Sequence, residues 1–279
     1  MSKLFRGGLS FVIISFLLFS NGVFLAEDEI LHIYYVDVGQ ADAAIITCGG
    51  MVLMIDGGNP EDSSLIYSML RNTLGIEHID YMIATHPHAD HVGGLSGALN
   101  ACEVDVLYTP VLEYDSKAFA SMMYYAHKQN TEIIVPEPCE SLRVGSLRVE
   151  LLAPTKNYSD YNDMSIVTRI TYGDTTFLFT GDIGWDVEHD LVEAGVDLST
   201  DVLKVSHHGS DTSSSYIFLR EAMPTYAVIS VGKGNPYGHP AEETLSRLED
   251  VGAEIFRTDE LGTIHCSSDG YKTSFDIRN

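Results

Sequence analysis

Between Thr85 and His91 the chain sets three histidines and an aspartate in six consecutive positions, His86-Pro87-His88-Ala89-Asp90-His91. Imidazole nitrogens and carboxylate oxygens are the ligands that Zn²⁺ and related divalent ions accept. His86 and His88 stand two apart, so on extended backbone their rings leave the same face. A bend at Ala89 turns Asp90 and His91 toward a second point close by. Gly93 and Gly94 then let the backbone turn sharply and pack close as a helix begins. One ion needs only part of this set, whereas two adjacent ions use all of it.

The elements around the motif must deliver it to an edge. β-Branched and aromatic runs predict strands over 31–38, 43–47 and 51–55, broken by Gly49-Gly50 and Gly57-Gly58. A helix is expected over 61–74, capped by Asp62 or Ser63, and a strand over 79–84 leads into the histidine loop. Helices over 92–100 and 116–129 alternate with strands over 104–108 and 131–135. The second half predicts strands over 147–152, 165–172, 175–179, 202–205, 226–231, 254–256, 262–266 and 271–277. Helices over 185–194, 214–221 and 241–251 lie between them. Two β-rich halves with interspersed helices imply an α/β fold (α+β), an αββα sandwich of two facing mixed sheets with outer helices.

Further polar residues follow the predicted strands: Asp37, Asp56, Asp182, and the pair His207-His208. Aspartate at a strand end is an ordinary turn residue, so Asp37 and Asp56 carry little alone. Asp182 follows the apolar run Phe177-Leu178-Phe179 in a strand that should be buried, and it reads as functional. His239 lies in the loop Asn235-Pro236-Tyr237-Gly238-His239-Pro240, either as a turn residue or as a proton donor.

The 279 residues hold 40 acidic and 16 basic side chains, a formal charge of −24. So acidic a surface disfavours strong sequence-independent nucleic-acid binding. Bound metal ions can invert the field locally, so a nuclease is not excluded. Lys3 and Arg6 precede an apolar stretch from Leu9 to Phe19, followed by Ser20, Asn21 and Gly22. That is the layout of a signal peptide, residues 1–26, with export to the cell surface or beyond. Left uncut, the stretch from Gly7 to Ala26 is just long enough to anchor in a membrane. Residues 27–279 form the remaining domain. Cys48, Cys102, Cys139 and Cys266 are scattered, so disulfides and buried thiols are both open.

The chain resembles a metallo-β-lactamase-fold hydrolase, and within that superfamily the hydrolase domain of ComEC-type DNA-uptake competence proteins. The resemblance rests on Asp37-Val38-Gly39-Gln40, Ile55-Asp56-Gly57-Gly58, His86 to Gly94 and Asn162-Asp163-Met164-Ser165. It continues through Thr180-Gly181-Asp182, Lys204 to Ser210 and Tyr237-Gly238-His239-Pro240, in the family's order. It implies a site for two divalent ions, Zn or Mn. By that likeness His86 and His88 hold the first ion, and Asp90 and His91 the second. Asp182 bridges them, and His207 is the last ligand unless His208 exchanges roles with it. Asp56 is then a hydrogen-bond acceptor from a ligand histidine, and Asp37 and Gln40 line the site. Two departures stand out. No third histidine serves the first ion, and Asn162 and Ser165 occupy that region, so water or substrate is left to complete it. Ala41 stands where the ComEC branch usually has glycine.

Two divalent ions lower the pKa of a shared water and neutralise substrate oxygens. That chemistry predicts a metal-dependent hydrolase, and phosphodiesters suit it best: a small ester, a cell-wall polymer or DNA. His208 or His239 would protonate the leaving oxygen, and Lys233 would meet a phosphate. The alternatives are a lactonase or β-lactamase acting on a carbonyl, and a non-enzymatic, metal-stabilised surface binding protein.

Overall fold

The computed structural model describes residues 29–276. The expected signal segment lies outside them. Among the described residues no helix is long and apolar enough to cross a membrane.

The chain first lays down six strands: β1 (Leu31–Tyr35), β2 (Ala43–Cys48), β3 (Met51–Gly57), β4 (His78–Ile83), β5 (Glu103–Tyr108) and β6 (Glu132–Ile134). Seven more follow: β7 (Glu140–Val144), β8 (Leu147–Leu151), β9 (Thr168–Tyr172), β10 (Thr175–Phe179), β11 (Val202–Lys204), β12 (Tyr226–Ile229) and β13 (Glu254–Arg257). The last two, β14 (Ile264–Ser268) and β15 (Thr273–Asp276), return to the first sheet, whose order is β15-β14-β1-β2-β3-β4-β5-β6. The second sheet runs β13-β12-β11-β10-β9-β8-β7. Both sheets are mixed, with β3, β4, β5 and β6 parallel in one and β10, β11, β12 and β13 parallel in the other.

Period-two alternation separates three apolar layers. Leu31, Ile33, Ile46, Leu53, Ile55, Phe177 and Phe179 pack between the sheets. Ile45, Met54 and Met82 point the other way, toward helices α1 (Ser63–Ser68), α2 (Ala89–Val92), α3 (Leu95–Ala101) and α4 (Lys117–Lys128). On the opposite outer face Leu178, Leu203 and Ala227 meet α5 (Trp185–Glu193), α6 (Tyr216–Ala222) and α7 (Glu242–Asp250). This is the αββα sandwich. Each fully buried large side chain contributes about 1.5–3 kcal/mol by leaving water.

The structure corrects several element bounds. The helix expected over 61–74 is three pieces: a 3₁₀ turn at Pro60–Asp62, then α1, then a wider turn at Met69–Leu74 that stops at Gly75 in the left-handed region. The helix expected over 92–100 is split at Gly93-Gly94. A Cβ on Gly94 would stand 1.9 Å from the Gly57 carbonyl oxygen, so only glycine lets the histidine loop lie this close to β3. Strand β7 was not anticipated, because Glu140–Val144 is a short edge strand with the polar Ser141 and Arg143 exposed. A short helix, α8 (Thr258–Leu261), was also missed. All four cysteines are free, with Cys139 exposed and the others buried.

Candidate metal centre

Parallel strands end at one edge of each sheet, and the chemistry-bearing loops leave from there. Asp56 closes β3, His86 to His91 follow β4, Asp182 follows β10, and His207 and His208 follow β11. His88 is extended (φ −67°, ψ 152°) and caps α2, whose single turn carries Asp90 and His91. Three site residues hold left-handed backbone: Asp56 (φ 57°), His207 (φ 51°) and His208 (φ 54°). Aspartate and histidine are several-fold enriched there among non-glycine residues, and such strain gathers at functional sites.

One ligand atom each from Asp90, His91, Asp182 and His208 lies within 4.8 Å of the others. His91 Nε2 is 3.3 Å from Asp182 Oδ2, and His208 Nε2 is 3.5 Å from Asp90 Oδ2 and 3.8 Å from Asp182 Oδ2. Ligands about 2.1 Å from a tetrahedral ion stand about 3.4 Å apart. His91 Nε2, Asp182 Oδ1 and His208 Nε2 are buried without a hydrogen-bond partner, and buried polar atoms rarely go unpaired. These residues fit a divalent ion.

The neighbours fix which nitrogen faces the centre. His208 Nδ1 lies 3.0 Å from the Ser230 carbonyl, which can only accept, so Nδ1 carries the proton and Nε2 is left for an ion. His91 Nδ1 donates to Asp56 Oδ2 at 2.8 Å. Asp56, 1% exposed, also accepts from the Thr85 backbone N–H and hydroxyl. Because the Thr85 hydroxyl donates to Asp56, its oxygen is free to accept from His86 Nδ1 at 3.2 Å. That leaves His86 Nε2 facing His88 Nδ1 at 3.1 Å and Asp182 Oδ2 at 4.0 Å, a second pair of nitrogens beside the same aspartate. Ser165 Oγ accepts from the Asp182 backbone N–H (3.1 Å) and lies 3.3 Å from His86 Nδ1. Asn162 is half-buried at the mouth, its Oδ1 without a partner.

The placement differs from expectation at several residues. His208, expected either as a proton donor or, in exchange with His207, as the last ligand, sits with the buried candidate ligand group, its side chain 3% exposed. His207, expected as the ligand unless His208 took that role, stands at the rim with its side chain 30% exposed and Nε2 3.9 Å from Asp182 Oδ2. Two consecutive left-handed residues swing the paired rings apart, which spacing alone does not reveal. His239 is half-buried beside His207, ring centroids 5.9 Å apart, and outside the ligand group. Asp37 is exposed, and its carboxylate accepts from Gly39 N–H within its own turn. Gln40 Oε1 accepts from Gly232 N–H and braces that loop. Neither belongs to the candidate ligand group, and Lys233 is exposed. Asp42 and Lys204 went unread as site residues, yet they form a buried ion pair 3.7 Å from His208.

Charge tunes the centre before any ion arrives. Burial works against a charged His91, but Asp182, Asp56 and Asp90 outweigh it and raise its pKa well above the ordinary imidazole value. Burial likewise opposes ionised Asp182, and His91 and His208 overcome it, holding that carboxyl well below the usual range. Burial and the neighbouring His91 keep His86 neutral, as a ligand must be. The upward shift favours a proton on His91 in the metal-free protein, and a bound ion would displace it. Metal uptake is predicted to release protons, with affinity rising about tenfold per pH unit for one displaced proton. Calorimetric titration in buffers of different ionisation enthalpy checks this, and buffer-independent heats would contradict it.

A model of the metallo-beta-lactamase superfamily matches residues 36–233. ComE operon protein 3 of Bacillus subtilis (strain 168) is 28% identical over 269 residues, covering 90% of this chain and 34% of that protein. Competence protein ComA of Neisseria gonorrhoeae is 29% identical over 231 residues, covering 82% and 31%. The chain thus spans about a third of the length of these relatives. Igni18, described as a novel metallo hydrolase from the archaeon Ignicoccus hospitalis, superposes with a TM-score of 0.58 at 16% identity, covering 85% of this chain and 98% of that one. At that identity the likeness speaks to fold. The superfamily match runs across both sheets and takes in every residue of the two ligand groups, and on that ground the chain belongs to the metallo-beta-lactamase superfamily.

Proposed function

We propose that this metal-dependent hydrolase of the metallo-beta-lactamase fold holds two divalent ions and cleaves phosphodiesters at the surface of the cell or outside it. The observation that carries the reading is the ring of buried, unpartnered ligand atoms around Asp182. In this assignment His86 and His88 would hold the first ion and Asp90, His91 and His208 the second, with Asp182 serving both. Bound ions would supply Lewis-acid charge and lower the pKa of an attacking water. The chain's own groups do the rest. Asp56 and the Ser230 carbonyl orient His91 and His208. With Asn162 and Ser165 rather than a histidine beside it, the first ion would remain accessible to a phosphoryl oxygen. His207, at the rim and 3.9 Å from the bridging carboxylate, is placed to give a proton to the leaving oxygen.

Substrate size follows from the approach to the centre. A cleft of about 420 Å³ reaches Asp182 and His207 and carries Asp160, Asp163, Asp186, Asp211 and the half-exposed Trp185 on its walls. Four carboxylates repel a polyanion and tolerate an ester that carries its own positive group. Small or zwitterionic phosphodiesters are therefore favoured over long DNA.

Hydrolysis of bis(p-nitrophenyl) phosphate by protein loaded with Mn²⁺ or Zn²⁺, beside a lactone and a β-lactam, tests the reading. Metal-dependent turnover of the phosphodiester alone is the expected result. Turnover of the carbonyl substrates with none of the phosphodiester would overturn it.

A further inference from the structure

We propose that the buried ion pair between Asp42 and Lys204 positions the ligands of the second ion, Asp90 and His208. Lys204 Nζ lies 2.8 Å from Asp42 Oδ2, and the two residues are 4% and 5% exposed. They stand 162 positions apart and come from opposite sheets, Asp42 just before β2 and Lys204 at the end of β11.

Each partner is also tied by backbone to a ligand-bearing segment. The Asp42 N–H donates to the Asp90 carbonyl at 3.1 Å, and the Asp42 carbonyl accepts from Gly58 N–H at 2.7 Å. The Lys204 carbonyl accepts from the Thr180 hydroxyl at 2.7 Å, two residues before Asp182. Lys204 Nζ donates again to the Val205 carbonyl at 3.0 Å, at the start of the turn that carries His207 and His208. Asp42 Oδ1 lies 3.7 Å from His208 Nδ1. One ionic contact therefore sets the separation between the loop of Asp90 and the turn of His208.

Buried ion pairs contribute little net stability compared with apolar pairs, and specificity of arrangement is their better-supported use. A second effect concerns competition for ions. Asp42, Asp56 and His91 form another group whose ligand atoms lie within 4.8 Å of one another. With the Lys204 ammonium seated on Asp42, that carboxylate is already matched by a cation of the chain itself. It does not draw an ion away from Asp182.

The inference rests on the two-ion reading, and the test separates them. Stepwise titration of the metal-free full chain with Co²⁺, followed by calorimetry and by the visible d–d spectrum, is made on the parent protein, Asp42→Asn and Lys204→Arg. Asp42→Asn keeps shape and backbone bonds but removes the charge, and Lys204→Arg keeps the charge but displaces it. Circular dichroism establishes which variants fold, and either one alone decides the matter. The expected result is an unchanged first affinity, a second affinity weakened at least about tenfold, and a shifted spectrum for the second ion. Two ions bound with parental affinities and spectrum, with only the melting temperature lowered, would show a merely structural pair and overturn the proposal. Equal weakening of both ions would overturn it too. A parent that binds fewer than two ions would instead remove the two-ion reading itself.

Discussion

Asp182→Ala is expected to abolish metal-dependent hydrolysis and to lower the metal content from two ions per chain to one or none. Asp182 Oδ2 is 3.3 Å from His91 Nε2, 3.8 Å from His208 Nε2 and 4.0 Å from His86 Nε2, so one carboxylate faces both ligand groups. Several kcal/mol of transition-state stabilisation pass through such a site, and each 1.36 kcal/mol is a factor of ten in rate. A loss of about 10³-fold or more in kcat follows. Elemental analysis of the dialysed variant, beside its turnover of bis(p-nitrophenyl) phosphate, measures both effects. A variant that keeps two ions and more than about a tenth of the activity would remove Asp182 from the centre.

The adjacent histidines are expected to behave differently, because the turn at 206–209 sends one ring inward and the other to the rim. His208→Ala removes a buried ligand and leaves Asp90 and Asp182 facing each other with less compensation. The second ion is lost, and activity falls about 10²-fold or more on every substrate. His207→Ala keeps both ions. Its effect depends on the leaving group: p-nitrophenolate departs without a proton, whereas an alkoxide needs one. Turnover of bis(p-nitrophenyl) phosphate is therefore nearly unchanged, while glycerophosphocholine cleavage falls about 10²-fold. Metal content and the two substrates, measured on both variants, distinguish the roles. Loss of an ion from His207→Ala but not from His208→Ala would reverse the assignment.

Much of this architecture was legible in the residues. Alternation in Leu31-His32-Ile33-Tyr34-Tyr35 and in Thr175-Thr176-Phe177-Leu178-Phe179 announces strands with two distinct faces, and those faces become the inter-sheet layer and the helix-facing layers. The histidine loop was legible because its candidate ligands are close in sequence. What lay hidden depends on contacts between distant segments. Glu140–Val144 looks like a polar loop until β8 pairs with it. Asp42 looks like an ordinary residue before a strand until Lys204 arrives from the other sheet. The order of His207 and His208 is decided by two left-handed φ angles, which no spacing rule encodes. Asp37 and Gln40 were placed at the site by the family resemblance, whereas their side chains bond to the Gly39 and Gly232 backbone.

Two ions sharing Asp182 would be seen by anomalous diffraction from crystals grown with Mn²⁺ or Zn²⁺. Two peaks are expected flanking the Asp182 carboxylate, one beside His86 and His88, the other beside Asp90, His91 and His208. A single peak, or an ion seated on Asp42 and Asp56 away from Asp182, would contradict the sharing of Asp182 by two ions.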